Sequence, residues 1–373
     1  MQITLFFTYG VGLSTWQQRG LFSREVGYYR TFTKHSVDRV IFVTYDPSDS
    51  VYVDELKKDN ITVCVRPVWI PQIFYSFVSP IVHWRVMRHT TVFKTNQMSG
   101  SWSGVIAKVL FRKPLVVRTG YSWSETKRKQ NKLFSLFAAR CIEWVSSLFA
   151  NHIIVSTISQ QKFIPKPFRN SIVVIPNFID TQLFSPSISV EKKSSSSKCT
   201  IVGVGRLASE KNWFFLFDVL SNLKMDVALI IVGDGEMRME LEQEAKRLGL
   251  SVQFVGIVPN QELPVWFARA DMFVLPSKFE GNPKALLEAM SCAVPVVAGA
   301  VPGVIDIIQH GVTGFLVHLD VKQFANMIQY VYEHKNMANV VGGNARQWVA
   351  DHQSLENVFK KEFLLYNNYI SHV

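Results

Sequence analysis

Short apolar runs alternate with helix-length amphipathic stretches along the whole chain. In the first half the runs fall at residues 3–8, 39–44, 61–67, 92–95, 115–118, 152–156 and 172–175. In the second half they fall at 200–204, 227–232, 251–255, 272–275, 294–298 and 314–317. That alternation predicts parallel strands joined by crossover helices. Between the halves, residues 185–198 contain Ser194-Ser195-Ser196-Ser197 and read as a polar linker. The expected architecture is α/β: a Rossmann-like, doubly wound domain at 1–187, a Ser-rich linker at 188–198, and a second such domain at 199–352. Strand ends of the two domains would face a shared cleft. A last segment, 353–373, has helical spacing at Leu355, Val358, Phe359, Phe363 and Leu364. It would cap the second domain or cross back onto the first.

One stretch organises the second half. The run at 272–275 ends at Pro276-Ser277, and Phe279-Glu280-Gly281-Asn282-Pro283-Lys284 follows. Asn282 as a side-chain cap and Pro283 at the first helical position predict a helix start. Glu280 then lies on the loop, and Glu288 about one and a half turns into the helix. The N–H groups between them suit an anion such as a diphosphate. A strand end, a helix N-terminus and two carboxylates fit a nucleotide-sugar site.

Two glycine loops point the same way. Thr8-Tyr9-Gly10-Val11-Gly12 follows the first strand, where Gly10 and Gly12 let backbone approach a phosphate closely. Gly203-Val204-Gly205-Arg206 leads to Lys211, which places two cations five residues apart at a strand end. They would neutralise charge developing on a leaving diphosphate, unless they are ordinary solvated surface charges. Gly233-Asp234-Gly235 reads as a structural turn.

Composition narrows the classes. The 373 residues suffice for two cores, and no run approaches the roughly 20 apolar residues of a membrane span. The start lacks a basic n-region and runs straight into Gly10 and Gly12, so a first strand is expected there, not a signal peptide. Cys64, Cys141, Cys199 and Cys292 show no ligand spacing, which argues for a reducing, cytoplasmic setting. The net charge of +11 is lopsided: residues 1–190 hold 23 Lys and Arg against 10 Asp and Glu. An acidic partner, nucleic acid or an anionic membrane surface, would account for this, as would a generally basic surface. Residues 133–150 read either as an ordinary buried helix or as a membrane-facing stripe of Phe134, Phe137, Trp144, Val145 and Phe149 behind Lys127-Arg128-Lys129. Trp69-Ile70-Pro71-Gln72-Ile73-Phe74-Tyr75 is equally open between core and acceptor groove. No Asp-x-Asp pair, G-x-S-x-G elbow or P-loop occurs, so metal-dependent, common hydrolase and NTPase chemistries are not expected.

Taken jointly, these motifs resemble the retaining glycosyltransferases of family 4, with the GT-B fold. The likeness runs through Val202-Gly203-Val204-Gly205-Arg206-Leu207, Glu210-Lys211-Asn212, Ile231-Val232-Gly233-Asp234-Gly235, Glu280-Gly281, Leu286-Leu287-Glu288-Ala289-Met290 and Gly311-Val312-Thr313-Gly314. It is thinner in the first half, at the glycine loop, at His152-Ile153-Ile154-Val155-Ser156 and at Ile175-Pro176-Asn177-Phe178. The resemblance implies a cytoplasmic, metal-independent enzyme without a cofactor, taking a nucleotide-sugar donor and a glycan or lipid-linked acceptor. The basic first half adds the expectation of peripheral association with an anionic membrane. The catalytic set implied is Arg206, Lys211 and Glu280. The donor contacts implied are Gly10, Gly12, Gly205, Arg206, Lys211, Gly281, Asn282, Pro283, Lys284 and Glu288, with Glu280 at the transferred sugar and Glu288 at the ribose.

Three departures stand out. Many relatives carry a His near the end of the fifth strand, where this chain reads Val117-Arg118-Thr119-Gly120-Tyr121. Arg118 or Tyr121 would contact donor or acceptor instead. Asn177-Phe178 replaces the usual Asn-Gly, and Ala293 stands where Gly is common, a small packing change by expectation. Two rivals are a nucleotide-sugar 2-epimerase of the same fold and a non-enzymatic nucleic-acid binder. The second leaves the second-half motifs unexplained, so no nucleic-acid partner is expected.

Overall fold

The computed structural model describes residues 1–35, 37–120, 124, 133–186 and 198–369. The chain forms two compact units, Met1–Pro176 together with Phe359–Val373, and Asn177–Val358. The expected linker falls almost wholly outside the described residues.

In the first unit the strands are β1 (Gln2–Phe6), β2 (Arg39–Val43), β3 (Ile61–Cys64), β4 (Val92–Thr95), β5 (Leu115–Thr119), β6 (His152–Val155) and β7 (Ile172–Val174). They make one parallel sheet in the order β3-β2-β1-β4-β5-β6-β7. Ile3, Leu5, Phe42, Val116 and Ile154 are buried, as a sheet covered on both faces requires. The third run stops at Cys64, ahead of Pro67, which has no N–H for a ladder. Its helices are α1 (Leu13–Gln18), α2 (Phe22–Lys34), α3 (Val53–Lys57), α4 (Gln72–Val82), α5 (Trp84–Met87), α6 (Ser101–Phe111) and α7 (Leu133–Phe149).

The second unit carries β8 (Cys199–Val204), β9 (Val227–Val232), β10 (Ser251–Gly256), β11 (Met272–Leu275), β12 (Val296–Gly299) and β13 (Phe315–Val317), in the order β10-β9-β8-β11-β12-β13. Around it lie α8 (Trp213–Ser221), α9 (Arg238–Arg247), α10 (Leu263–Ala268), α11 (Lys284–Ser291), α12 (Val321–Glu333) and α13 (Lys335–Gln353). Two buried clusters line its faces, one with Phe267, Phe273 and Met290, the other with Trp213, Phe217 and Phe324. In this sheet the order reverses at β8 and β11, so the loops that follow these two strands open side by side.

The last helix, α14 (Leu355–Asn367), passes into the first unit at Phe359. Its buried face differs from the expected one. Leu364 is exposed, whereas Glu362 is fully buried beside Phe359, Leu365 and Tyr366. Glu362 continues the helical period from 358–359 to 365–366, and its charge is met inside. Lys94 of β4 donates to Glu362 Oε1, Tyr28 to Oε2 at 2.8 Å and Tyr366 to Oε1 at 2.5 Å. Lys94 Nζ also lies 5.0 Å from the centre of the Tyr29 ring. Burial alone would raise the Glu362 carboxyl. The Lys94 and Arg118 charges, with the hydrogen bonds from Lys94 and Tyr366, outweigh it and hold the carboxyl below its ordinary range.

Candidate active site

The site is built at the strand ends of β8 and β11. Gly203 and Gly233 have steric reasons to be glycine. A Cβ on Gly203 would sit 2.7 Å from the Trp213 ring, and one on Gly233 (φ +137°) would sit 2.1 Å from the Gly205 carbonyl oxygen. A Cβ on Gly205 would lie 3.3 Å from Lys211 Cε, so this glycine clears the path of the lysine stem. The loop after β8 turns at Asn212, in the left-handed region at φ +62°, and Asn212 Nδ2 donates to Pro276 O at 3.1 Å. Lys278 N donates to Glu210 O at 2.9 Å. These bonds stitch the two loops together.

Lys211 and Glu280 consequently meet. Lys211 Nζ donates to Glu280 Oε1 at 2.6 Å, and Ser277 Oγ donates to the same oxygen at 2.7 Å. The two side chains keep only 20% and 10% of their exposure, which strengthens the interaction relative to a surface pair. Arg206 points elsewhere. Its guanidinium is 62% exposed and hydrogen-bonds to Glu210, while its carbonyl accepts from Trp213 Nε1 at 3.0 Å. Burial would raise the Glu210 carboxyl, but the Arg206 hydrogen bond and charge, with Lys211, hold it down. The two cations are therefore separately partnered and do not form one cluster.

The start of α11 corrects an expectation. Asn282 does not cap this helix, which begins at Lys284 with no side-chain cap. Its Oδ1 accepts from Asn177 N at 2.9 Å, and Asn177 Nδ2 donates to Asn282 O at 2.7 Å. Because a backbone N–H can only donate, this pairing fixes which way the Asn282 amide faces. Its Nδ2 is buried and, among the described residues, has no hydrogen-bond partner. A buried donor left in that state is costly. Phe178 receives Lys284 Nζ 5.0 Å from its ring centre, so the unusual Asn177-Phe178 pair braces this helix start with both residues.

Glu288 lies on α11 with only 2% exposure, and Asn260 Nδ2 donates to its Oε1 at 3.0 Å. Ser277, Asn260 and Gly303 escaped sequence reasoning. A Cβ on Gly303 (φ +84°) would lie 2.3 Å from Gly281 O and 2.5 Å from Glu280 O, so Gly303 supports the loop that presents Glu280. The Val301-Pro302-Gly303 turn after a strand was the available signal. Ala293 does more than alter packing. It sits at φ +58° just past α11, with Val294 N bonded to Ala289 O and Ala293 N to Met290 O, a Schellman motif at the position where glycine is favoured.

In the first unit, Gly10 is left-handed at φ +77°, and a Cβ on Gly12 would sit 2.6 Å from both Asp46 Cβ and Asp49 Oδ2. Asp49 accepts from Leu13 N and Ser14 N at 2.9 Å each, so the first turn of α1 is satisfied from within. Arg118 is also engaged: its guanidinium lies 3.7 Å from Glu362 and donates to Pro176 O at 3.3 Å. Tyr121 lies outside the described residues.

A family model described as glycosyl transferases group 1 matches residues 185–348. The chain is 31% identical over 269 residues to the UDP-Gal:α-D-GlcNAc-diphosphoundecaprenol α-1,3-galactosyltransferase of Escherichia coli, covering 66% of this chain and 67% of that one. The chain belongs to the glycosyl transferases group 1 family. It is an enzyme, a glycosyltransferase. A GDP-mannose-dependent α-(1-6)-phosphatidylinositol monomannoside mannosyltransferase of Mycolicibacterium smegmatis is 30% identical over 195 residues, and there the match spans 48% of this chain and 51% of the relative. Among solved structures, Anabaena HepE in complex with UDP and glucose superposes with a TM-score of 0.80 at 22% identity, over 99% of this chain and 100% of that one. Sucrose-phosphate synthase from Thermosynechococcus elongatus also reaches 0.80, at 20% identity over the whole of both chains. The glycosyltransferase thus has the GT-B fold. Among its described residues no helix is long and apolar enough to cross a membrane.

Proposed function

We propose that the glycosyltransferase moves a hexose from a UDP-linked donor to a lipid-diphosphate-linked glycan, with retention and without a metal, on the cytoplasmic side of a membrane. The observation that carries this is the pairing of Lys211, after β8, with Glu280 on the loop leading into α11, whose start has no side-chain cap and carries the unpartnered Asn282 Nδ2. The diphosphate would lie against that helix start, with Asn282 Nδ2 donating to one of its oxygens. Lys211 neutralises the charge that builds on the diphosphate as the C1–O bond breaks. Arg206 adds to this by swinging from Glu210.

Glu280 is already held by Lys211 and Ser277. A carboxylate bound in this way is better suited to hold sugar hydroxyls than to attack C1. We assign Glu288, about one turn into α11, to the ribose. The acceptor oxygen then bonds to C1 on the face the diphosphate leaves, and the acceptor proton passes to a diphosphate oxygen. The uridine and the lipid diphosphate rest on the galactosyltransferase relative's own donor and acceptor.

The test begins with thermal shifts of the purified protein against UDP-, GDP-, ADP- and dTDP-sugars, where a selective rise with UDP-hexoses is expected. Transfer to a synthetic polyprenol-diphosphate sugar, followed by NMR of the new anomeric centre, reads retention directly. Activity unchanged by EDTA is expected. Epimerised nucleotide sugar formed without an acceptor would overturn the transferase assignment.

A further inference from the structure

Helices α4, α6 and α7 are built inside out. α6 packs on β1, β4 and β5, α7 on β5, and α4 packs beside α6 as α7 does, so the three form one layer. Their buried faces are mostly small and polar, with Tyr75 and Pro80 of α4 and Val105 of α6 as the larger exceptions. α4 buries Ser76 and Ser79, α6 buries Ser101, Ser103 and Gly104, and α7 buries Ala139, Glu143, Ser146 and Ser147. These groups bond to one another: Ser101 Oγ to Ser146 Oγ at 2.6 Å, Ser103 Oγ to Ser76 O at 2.5 Å, and Ser147 Oγ to Glu143 O at 2.6 Å. The large apolar side chains face the other way. Phe74, Phe77 and Ile81 on α4, and Phe137, Trp144 and Leu148 on α7, are each 48–70% exposed, with Val109 and Leu110 of α6 between them. Single exposed apolar residues are ordinary in soluble proteins. A helical stripe of them on three adjoining helices, with serines inside, is the reverse of a water-facing layer.

The charges around this face have one sign. No Asp or Glu occurs between Asp59 and Glu125, whereas Arg85, Arg88, Arg112 and Arg140 are exposed on or beside the same helices. Trp69 and Trp84 stand among them, and Arg88 lies 5.2 Å from the Trp84 ring centre. Amphipathic Trp and Arg at the rim of an apolar patch suit the headgroup level of a bilayer. A second copy of the same face would set these cations against each other.

We propose that the α4–α6–α7 layer docks on an anionic lipid bilayer, with its outer apolar side chains in the acyl boundary and its arginines at lipid phosphates. This rests on the layer alone and does not depend on the donor or acceptor assigned above. Co-sedimentation of the full chain with phosphatidylglycerol–phosphatidylcholine vesicles, without nucleotide, tests it. Binding is expected to be strong at low salt, weaker in 0.5 M NaCl, where the Debye length falls to roughly 4 Å, and weak on pure phosphatidylcholine. The Phe77→Ser/Ile81→Ser and Phe137→Ser/Trp144→Ser double variants, checked for folding by circular dichroism, should each lower the partition coefficient at least tenfold. Folded variants that partition like the parent would overturn the proposal. So would a parent that ignores vesicles, or one that is a dimer by light scattering and becomes a monomer in the variants.

Discussion

Lys211 Nζ and Glu280 Oε1 lie 2.6 Å apart although 69 positions separate them in the chain. The lysine comes from the loop after β8 and the glutamate from the loop after β11, strands that are neighbours in the sheet. In the proposed reaction, the charge assigned to the diphosphate is balanced by a carboxylate until a donor arrives. Replacing Lys211 by Ala removes a cation felt most in the transition state, and kcat is expected to fall about a hundredfold or more. Steady-state kinetics of sugar transfer check this, and unchanged turnover would remove Lys211 from the mechanism.

Asn282 offers a finer test. Asn282→Asp keeps an oxygen for Asn177 N but loses the Nδ2 donor and adds a negative charge where the diphosphate is placed. Donor affinity by calorimetry is expected to drop on the order of tenfold or more. The melting temperature should move by only a few degrees, because the Asn177 bond survives. A donor Kd equal to the parent's would detach Asn282 from the diphosphate.

Glu362 contributes to the acid stability of the first unit. Its carboxyl is held below the ordinary 4.5, so the folded state binds that proton less readily than the unfolded chain. Its contribution to stability is fully present above pH 4.5 and is lost as pH falls through the lowered value. Glu362→Gln leaves Lys94 buried without its counter-charge and is expected to cost about 3–5 kcal/mol at pH 7. Denaturant titrations from pH 3 to 7 should also show a shallower acid limb in the variant than in the parent. An identical pH profile would refute the role.

Ala293 holds a left-handed φ of +58° that costs an alanine roughly 1–2 kcal/mol. Ala293→Gly relieves this, partly offset by the greater freedom of glycine in the unfolded chain. A net gain of about 0.5–1 kcal/mol is expected in urea unfolding, with kcat and KM unchanged.

Much of the fold was legible because burial on both faces of a parallel sheet writes most of its strands as continuous apolar runs, and all thirteen runs appear as strands. Glycines at the ends of β8 and β9 were legible for a related reason, since a Cβ there would meet the Trp213 ring, the Lys211 stem or the backbone of the neighbouring loop. The motif around Glu280 and Glu288 likewise announced a strand end followed by a helix.

Partnerships were not legible. Asn282 followed by Pro283 has the local form of a helix cap, yet a backbone N–H at Asn177 claims the amide oxygen. Arg206 and Lys211 read as a pair five residues apart, but a short turn sends one toward Glu210 and the other toward Glu280. Glu362 interrupts an apolar helical face, and only the arrival of Lys94 and Tyr28 from distant strands and helices makes its burial affordable. The exposed side of α4, α6 and α7 carries the same apolar periodicity as a buried side would. Periodicity states that a helix has two faces, and the sequence determined that much. Which face meets the sheet is decided by what the neighbouring elements can satisfy, here serines that bond across helices while most of the large apolar side chains are left outside.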